Sequence, residues 1–93
     1  MVILLEEGDT KGFAIAIEND VRGGMMTYSV AGAELIIIDH TEVEPSFSGK
    51  GVGKRMLYKI VEMAKEKNIK IIPLCPFAAT MFKKSLDIKD VVR

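Results

Sequence analysis

One amphipathic stretch between two aliphatic runs restricts the fold of this 93-residue chain more than any other feature. From Gly51 to Lys67, apolar residues recur at helical spacing, namely Val52, Met56, Leu57, Ile60, Val61 and Ala64. The runs Leu35 to Val43 and Ile69 to Leu74 flank this helix, and their consecutive aliphatic residues predict strands covered on both faces. Strand, helix and strand form a crossover unit, so the two strands should be parallel, with a right-handed connection.

The N-terminal part of the chain predicts short antiparallel strands. Val2 to Leu5 is apolar, and two segments, Phe13 to Ile17 and Met26 to Val30, alternate with period two. In the first of these, Phe13, Ile15 and Ile17 predict one buried face. Pro76 fits the first turn of a short C-terminal helix, followed by a tail whose Ile88, Val91 and Val92 should pack back. We therefore expect one domain, residues 1–93, of α/β (α+β) class: a mixed sheet with antiparallel N-terminal strands, a β-α-β crossover and a short C-terminal helix.

Charge and cysteine content exclude several classes of protein. Thirteen Lys and Arg residues balance thirteen Asp and Glu residues, which argues against a protein that mainly holds nucleic acid. Cys75 is the only cysteine, so we expect neither an intrachain disulfide nor a cysteine-based metal cluster. No apolar run approaches the ~18 residues of a membrane span, and Glu6 and Glu7 interrupt any signal peptide. These features predict no membrane partner and a cytoplasmic location.

A glycine-rich loop, Ser48-Gly49-Lys50-Gly51-Val52-Gly53-Lys54, connects the first buried strand to the long helix. Backbone amides are free at a helix N-terminus, glycine removes the Cβ atoms that would block a phosphate, and the nearby bases add positive charge. The loop therefore predicts a pyrophosphate site, although a turn that merely starts the helix remains the alternative. A Walker A loop would need Ser or Thr at Arg55, and a dinucleotide loop would need Gly at Met56, so both are disfavoured.

Three segments together resemble the short, single-domain branch of the GNAT N-acetyltransferase superfamily. They are Ile38-Asp39-His40-Thr41-Glu42-Val43, Gly49-Lys50-Gly51-Val52-Gly53-Lys54 and Cys75-Pro76-Phe77-Ala78. The resemblance implies a GNAT-like fold and acetyl-CoA as the cofactor. It assigns the pyrophosphate to Gly49, Lys50, Gly51, Val52, Gly53 and Lys54, and the pantetheine arm to the backbone of Glu42, Val43 and Glu44, as an added strand would bind. Pro76 completes the expected cofactor-binding set.

His40 and Cys75 are the candidate catalytic residues. Each lies at the carboxyl end of a predicted parallel strand, where ligands of open sheets collect, so the two side chains should share one small cleft. His40 suits the base that deprotonates an attacking amine, and Cys75 could protonate the departing CoA thiolate or become acetylated itself. Direct transfer is the usual route in this superfamily. Both residues also have a structural interpretation, a histidine bonded to a turn and a small buried cysteine.

Two further expectations concern the acceptor side of the site. A bulge near Val43 or Glu44 could aim a backbone amide at the oxygen that gains charge during acyl transfer. Asp39, Glu42 and Glu44 could attract a cationic amine, although acidic residues at strand ends are usually only solvated.

The sequence favours acetyl transfer from acetyl-CoA to a primary amine. The short chain leaves no helices for a walled acceptor pocket, which favours a large or flexible acceptor such as a protein or a polyamine. The alternative is a non-catalytic module that binds CoA or acyl-CoA, and a third interpretation is an interaction domain with an incidental glycine loop.

Overall fold

The fold is built on one mixed sheet of five strands, and the computed structural model describes all of residues 1–93. The strands, in the order in which they lie in the sheet, are β1 (Val2–Glu6), β2 (Lys11–Glu18), β3 (Val21–Gly32), β4 (Leu35–Val43) and β5 (Lys70–Pro73). The helices are α1 (Val52–Lys67) and α2 (Pro76–Lys84), and two 3-10 turns cover Pro45–Phe47 and Leu86–Val91. Strands β1 to β4 pair antiparallel and β4 pairs parallel with β5, which confirms the predicted crossover unit. No helix is both long enough and apolar enough to cross a membrane.

Helix α1 covers one face of the sheet and forms the core with it. Met56, Leu57 and Ile60 of α1 are fully buried, as are Ala14 and Ala16 of β2. Each fully buried Leu or Ile stabilises the fold by about 1.5–3 kcal/mol. The alanines belong to the buried face because their small side chains leave room for the helix above them.

In β2, the structure buries the face opposite to the one expected from the sequence. Phe13, Ile15 and Ile17 are only half-buried and lie on the opposite side of the sheet from α1. The expectation was wrong because alternation shows that a strand has two faces without showing which of them receives the helix. We call the sheet surface opposite α1 the open face.

The two parallel strands are also less enclosed than their aliphatic runs predicted. In β4, Ile36 and Ile38 are buried under α1, whereas Ile37 is half-buried on the open face. β5 is an edge strand, and Leu74, just after it, is 68% exposed. The C-terminal tail covers part of this edge, as predicted, since Val92 forms a bridge to Ile71 and the tail is anchored by buried side chains.

Candidate active site

The glycine loop starts from a turn that is fixed against the sheet. Phe47, in the Pro45–Phe47 turn, is 7% exposed and its ring packs against Gly23 of β3. A Cβ atom at Gly23 would lie 2.3 Å from the ring, so only glycine permits this approach. The chain then enters the loop from a defined position beside the end of β4.

Gly49 and Gly51 adopt left-handed conformations, with φ of 81° and 70°. A Cβ atom at either position would meet no protein atom within 4 Å, so backbone conformation, not packing, requires glycine there. The amides of Gly49, Gly51, Val52, Gly53 and Lys54 donate to no protein acceptor, and Gly51 caps α1 without a side-chain bond. Free amides and the helix dipole together give this loop a geometry that suits an anion.

Gly53 has a different function from the other two glycines. A Cβ atom on this residue would lie 2.6 Å from the ring of Phe77, in the first turn of α2. Gly53 is therefore required for close packing of α2 on α1. The contact also places the first turns of both helices side by side.

The basic residues of the loop differ in their freedom to meet an anion. The Lys50 ammonium lies 3.4 Å from a carboxylate oxygen of Glu18 and 5.0 Å from the centre of the Phe47 ring. The Lys54 ammonium lies 5.6 Å from the centre of the Tyr58 ring and has no acidic partner. Lys54 is thus the base whose charge is unopposed, whereas Lys50 is partly neutralised.

A gap opens between β4 and β5 beside this loop. Parallel pairing ends where Ile38 meets Pro73, and the amides of Leu74 and Cys75 both donate to the Ile38 carbonyl, at 3.1 and 3.0 Å. The chain then turns into α2, so residues 39–43 of β4 continue with no strand on that side. This unpaired strand edge can accept an extended ligand that carries amide groups.

A one-residue bulge in β4 decides which side chains border the gap. Thr27 pairs with His40 while the next residue, Tyr28, pairs with Ile38, which leaves Asp39 as the extra residue. The Ser29 hydroxyl donates to the Asp39 carboxylate at 2.6 Å and holds the bulge in place. The bulge expected near Val43 or Glu44 therefore lies earlier in the strand.

The backbone near the predicted bulge is regular and partly engaged. Val43 pairs with Gly24, and the amide of Glu44 donates to the Gly23 carbonyl at 2.8 Å. The Glu44 amide therefore cannot serve as the donor to a ligand in this structure, because β3 has already taken it. Backbone groups alternate along an antiparallel ladder, so those of Glu42 also face β3, at Met25, and among the three residues expected to bind pantetheine only Val43 directs its backbone groups to the unpaired edge.

The bulge separates His40 from Cys75. Beyond Asp39, Thr41 pairs with Met26 and shares its helix-covered face, whereas His40 pairs with Thr27 on the open face. Cys75 is 5% exposed, and its Sγ lies 3.2 Å from Thr41 Oγ1. The expected shared cleft is therefore not formed.

His40 instead forms a pair with Glu42 on the open face. Its Nε2 atom lies 3.4 Å from Glu42 Oε1, and the imidazole side chain is 66% exposed. The carboxylate can orient the ring. The imidazole is therefore accessible to solvent, with an acidic side chain beside it.

Thr41 is the site residue that sequence reasoning did not single out. Strict alternation from the buried Ile38 would direct His40 towards α1 and Thr41 away from it, and the bulge reverses both directions. The chain contains one signal of this bulge, the polar pair of Ser29 and Asp39. This pair can be recognised only when the register of β3 and β4 is known.

The site is an open surface. Five surface cavities exist, and none of them is lined by the glycine loop, His40 or Cys75. The largest, of about 670 Å³, lies between β1, α1 and the Leu86–Val91 turn, where Arg55 and Lys59 contribute to its wall. An extended ligand would therefore lie along the loop and the edge of β4 instead of entering a closed pocket.

Comparison with known proteins identifies this arrangement. The family profile described as GCN5-related N-acetyl-transferase matches residues 12–91. The fold is similar to that of a GCN5-like candidate N-acetyltransferase from Staphylococcus aureus, with a TM-score of 0.72 and 37% identity over 97% of this chain and 87% of the other. No curated protein sequence matches the chain significantly.

More distant structures share the fold alone. A ribosomal-protein-alanine N-acetyltransferase from Brucella melitensis has a TM-score of 0.70 and 17% identity, covering 83% of this chain and 62% of that protein. A Mycobacterium tuberculosis protein in complex with CoA has a TM-score of 0.57 and 20% identity, covering 66% and 39%. Because the profile spans most of the sequence and the S. aureus structure matches it almost from end to end, this chain belongs to the GCN5-related N-acetyltransferase (GNAT) family.

Proposed function

We propose that this protein transfers the acetyl group of acetyl-CoA directly to a primary amine. Members of the family use acetyl-CoA, and the chain has a surface that suits it. The observation that carries the proposal is that two features lie side by side. They are the free loop amides at the start of α1 and the unpaired edge of β4. The first suits a pyrophosphate and the second suits an arm that contains amide groups.

The residues present fit this cofactor. Cβ atoms at Gly49 and Gly51 would project into open space, so an anion can approach the backbone there. Val52, Gly53 and Lys54 supply further amides from the first turn of α1. Lys54 adds an unopposed charge and Lys50 a partly neutralised one. When bound, acetyl-CoA supplies the acetyl thioester that an amine attacks.

The remaining contacts belong to the strand edge and to α2. Val43 offers backbone groups at the unpaired edge of β4, whereas those of Glu42 face Met25 of β3. Pro76 begins α2 directly after Cys75 and would border the same gap. The backbone of Glu44 is engaged on both sides, because its amide donates to Gly23 and its carbonyl accepts from Phe47, so we assign it no contact with the pantetheine arm.

We assign the proton acceptor to His40. An ammonium must lose a proton before its nitrogen can attack, and His40 is exposed on the open face, where Nε2–H faces Glu42 and Nδ1 is the nitrogen left to accept the proton. The Glu42 carboxylate would stabilise the imidazolium that forms when the proton is transferred. Asp39 adds a second carboxylate at the bulge, which increases the attraction for a cationic amine.

We assign the protonation of the departing thiolate to Cys75. Its thiol lies beside the gap, and the Thr41 hydroxyl at 3.2 Å can position the S–H group or return a proton to it. The location of Cys75 supports direct transfer over an acetylated cysteine. His40 lies on the other side of β4, so no basic side chain contacts Sγ to generate the thiolate that a covalent route needs.

The test is to incubate the protein with acetyl-CoA and a panel of primary amines and to measure the release of free CoA thiol. We expect amine-dependent release that decreases strongly in His40→Ala and Glu42→Gln. Glu34→Gln is the matched control, because this exposed glutamate lies in the turn before β4, at the opposite end of that strand. Tight CoA binding without thiol release for any amine would favour the non-catalytic CoA-binding module.

A further inference from the structure

The open face carries an apolar row that leads to the proposed base. Leu4 of β1 pairs with Ile15 of β2, Ile15 pairs with Met25 of β3, and Met25 pairs with Glu42 of β4. Directly opposed residues of neighbouring strands lie on the same face. Leu4, Ile15 and Met25 thus form a line across three strands that ends at a carboxylate. We call these three side chains the apolar row.

A second line runs beside the first and ends at the imidazole. Phe13 of β2 pairs with Thr27 of β3, and Thr27 pairs with His40 of β4. Strands are separated by about 4.8 Å, so the apolar row extends roughly 10 Å, and Glu42 lies one strand further. The surface therefore changes from apolar to acidic and basic within the reach of one ligand.

No helix covers this row in the chain. Leu4 is 47% exposed, Ile15 and Met25 are half-buried, and α1 packs against the same strands from the other face. Exposed apolar side chains gathered in one patch usually mark a binding surface, whereas scattered ones do not. The row is continuous with His40 and Glu42, which the proposed function assigns to the acceptor side.

We propose that the acceptor is a polypeptide whose acetylated amine is flanked by apolar side chains. This inference rests on the proposed function. The ammonium would pair with Glu42 and meet His40, while the neighbouring side chains would cover the apolar row. Charge complementarity at one end and apolar contact along the rest select a ligand with one cation and an apolar body.

A polyamine, the other acceptor considered from the sequence, fits this surface less well. It carries further ammonium groups along its length, and the apolar row would remove water from them without providing partners. Along the apolar row the only acidic group is Glu42 at the β4 end; Asp39 lies beside His40, and Glu6, which pairs with Phe13, lies at the far end of the second line. A single terminal charge is therefore matched, and a row of charges is not.

The experiment compares two N-terminally blocked peptides of equal length, each with one lysine, flanked either by Leu and Ile or by Ser and Gln. CoA thiol release gives kcat/KM for each. We expect roughly a tenfold preference for the apolar peptide, about 1.4 kcal/mol, from the partial burial of a few apolar groups. Leu4→Thr and Ile15→Thr should reduce this preference to nearly one. Equal kcat/KM values for the two peptides would overturn the inference.

Val21→Thr is the matched control. This valine is 53% exposed at the β2–β3 turn, outside the apolar row, so the substitution should leave the preference unchanged. Loss of the preference in Val21→Thr as well would overturn the assignment to the row. Sedimentation that shows a dimer, dissociated by Ile15→Thr, would also overturn it, because a second copy would then cover this face.

A binding measurement separates this inference from the proposed function. The apolar peptide is titrated into the CoA-bound protein while methyl resonances of Leu4, Ile15 and Met25 are followed by NMR. Shifts at these methyl groups without thiol release for any amine would contradict the catalytic proposal and support the docking surface. Absence of shifts would overturn the docking surface, whatever the activity.

Discussion

Replacing Gly53 with alanine should destabilise the protein through a single contact, the one with Phe77. The new Cβ atom would lie 2.6 Å from one ring carbon and 3.0 and 3.1 Å from two others, whereas ordinary contacts begin at 3.4 Å. Overpacking of this kind costs about 1–3 kcal/mol. Phe77 is 37% exposed and can move outward, so we expect a loss of about 1 kcal/mol, or about 4–8 °C in Tm for a domain of this size.

The same substitution should be harmless once the ring is removed. In a Phe77→Ala background the new methyl group meets no ring, and alanine is favoured over glycine inside a helix by roughly 0.5–1 kcal/mol. Gly53→Ala should then be neutral or stabilising, which gives a coupling free energy of about 1.5 kcal/mol between the two positions.

Urea unfolding of the four proteins in this cycle measures the coupling. The single variants and the double variant should share one m-value, so that midpoints report stability. If the two changes add to within about 0.3–0.5 kcal/mol, Gly53 does not pack on Phe77 as described. Its glycine would then have to be explained by the anion site alone.

Three further outcomes can be measured. His40→Gln should lower kcat/KM for an amine roughly 100-fold or more while leaving the Kd of CoA unchanged by calorimetry, and a normal rate would remove His40 from the mechanism. Mass spectrometry of the protein after exposure to acetyl-CoA alone should show no acetyl group on Cys75, since a stable adduct would indicate the covalent route. Burial, followed by the charge of Glu7, raises the pKa of Tyr28 above 10.0, so the folded state holds this proton more tightly than the unfolded state. The resulting stability is complete below pH 10.0 and is lost as the pH rises through the folded-state pKa, so Tyr28→Phe should lose less stability between pH 9 and 11 in urea titrations.

The crossover unit could be predicted because local patterns determine it. The helical period of α1 and the aliphatic runs beside it leave few alternatives, and a short chain must bury the apolar stripe against a sheet. The burial of β2 could not be predicted in the same way. Ala14 and Ala16 are covered and Ile15 is not, because the helix needs a shallow surface, and that requirement appears only when α1 is in place.

The position of the glycine loop could be predicted from the sequence, whereas the contacts of the candidate site residues could not. The glycine loop is recognisable in the sequence, where its three glycines were all assigned to anion binding. The structure distinguishes Gly49 and Gly51, which adopt left-handed conformations, from Gly53, which packs on a ring. The relation of His40 to Cys75 depends on a single extra residue in β4. A bulge reverses the direction of every side chain after it in the strand. No local sequence pattern around Asp39 predicts this bulge.

The unpaired stretch of β4 also bears on how the protein avoids joining to copies of itself. A free strand edge at the margin of a sheet is a template for aggregation, and proteins normally blunt it. Here the free edge lies inside the sheet, between β3 and the point where β5 turns away into α2. A short extended ligand fits this five-residue stretch, 39–43, whereas a longer strand from a neighbouring molecule would meet β5 and the start of α2. The fold can therefore expose an unpaired strand edge to small ligands while it limits aggregation through that edge.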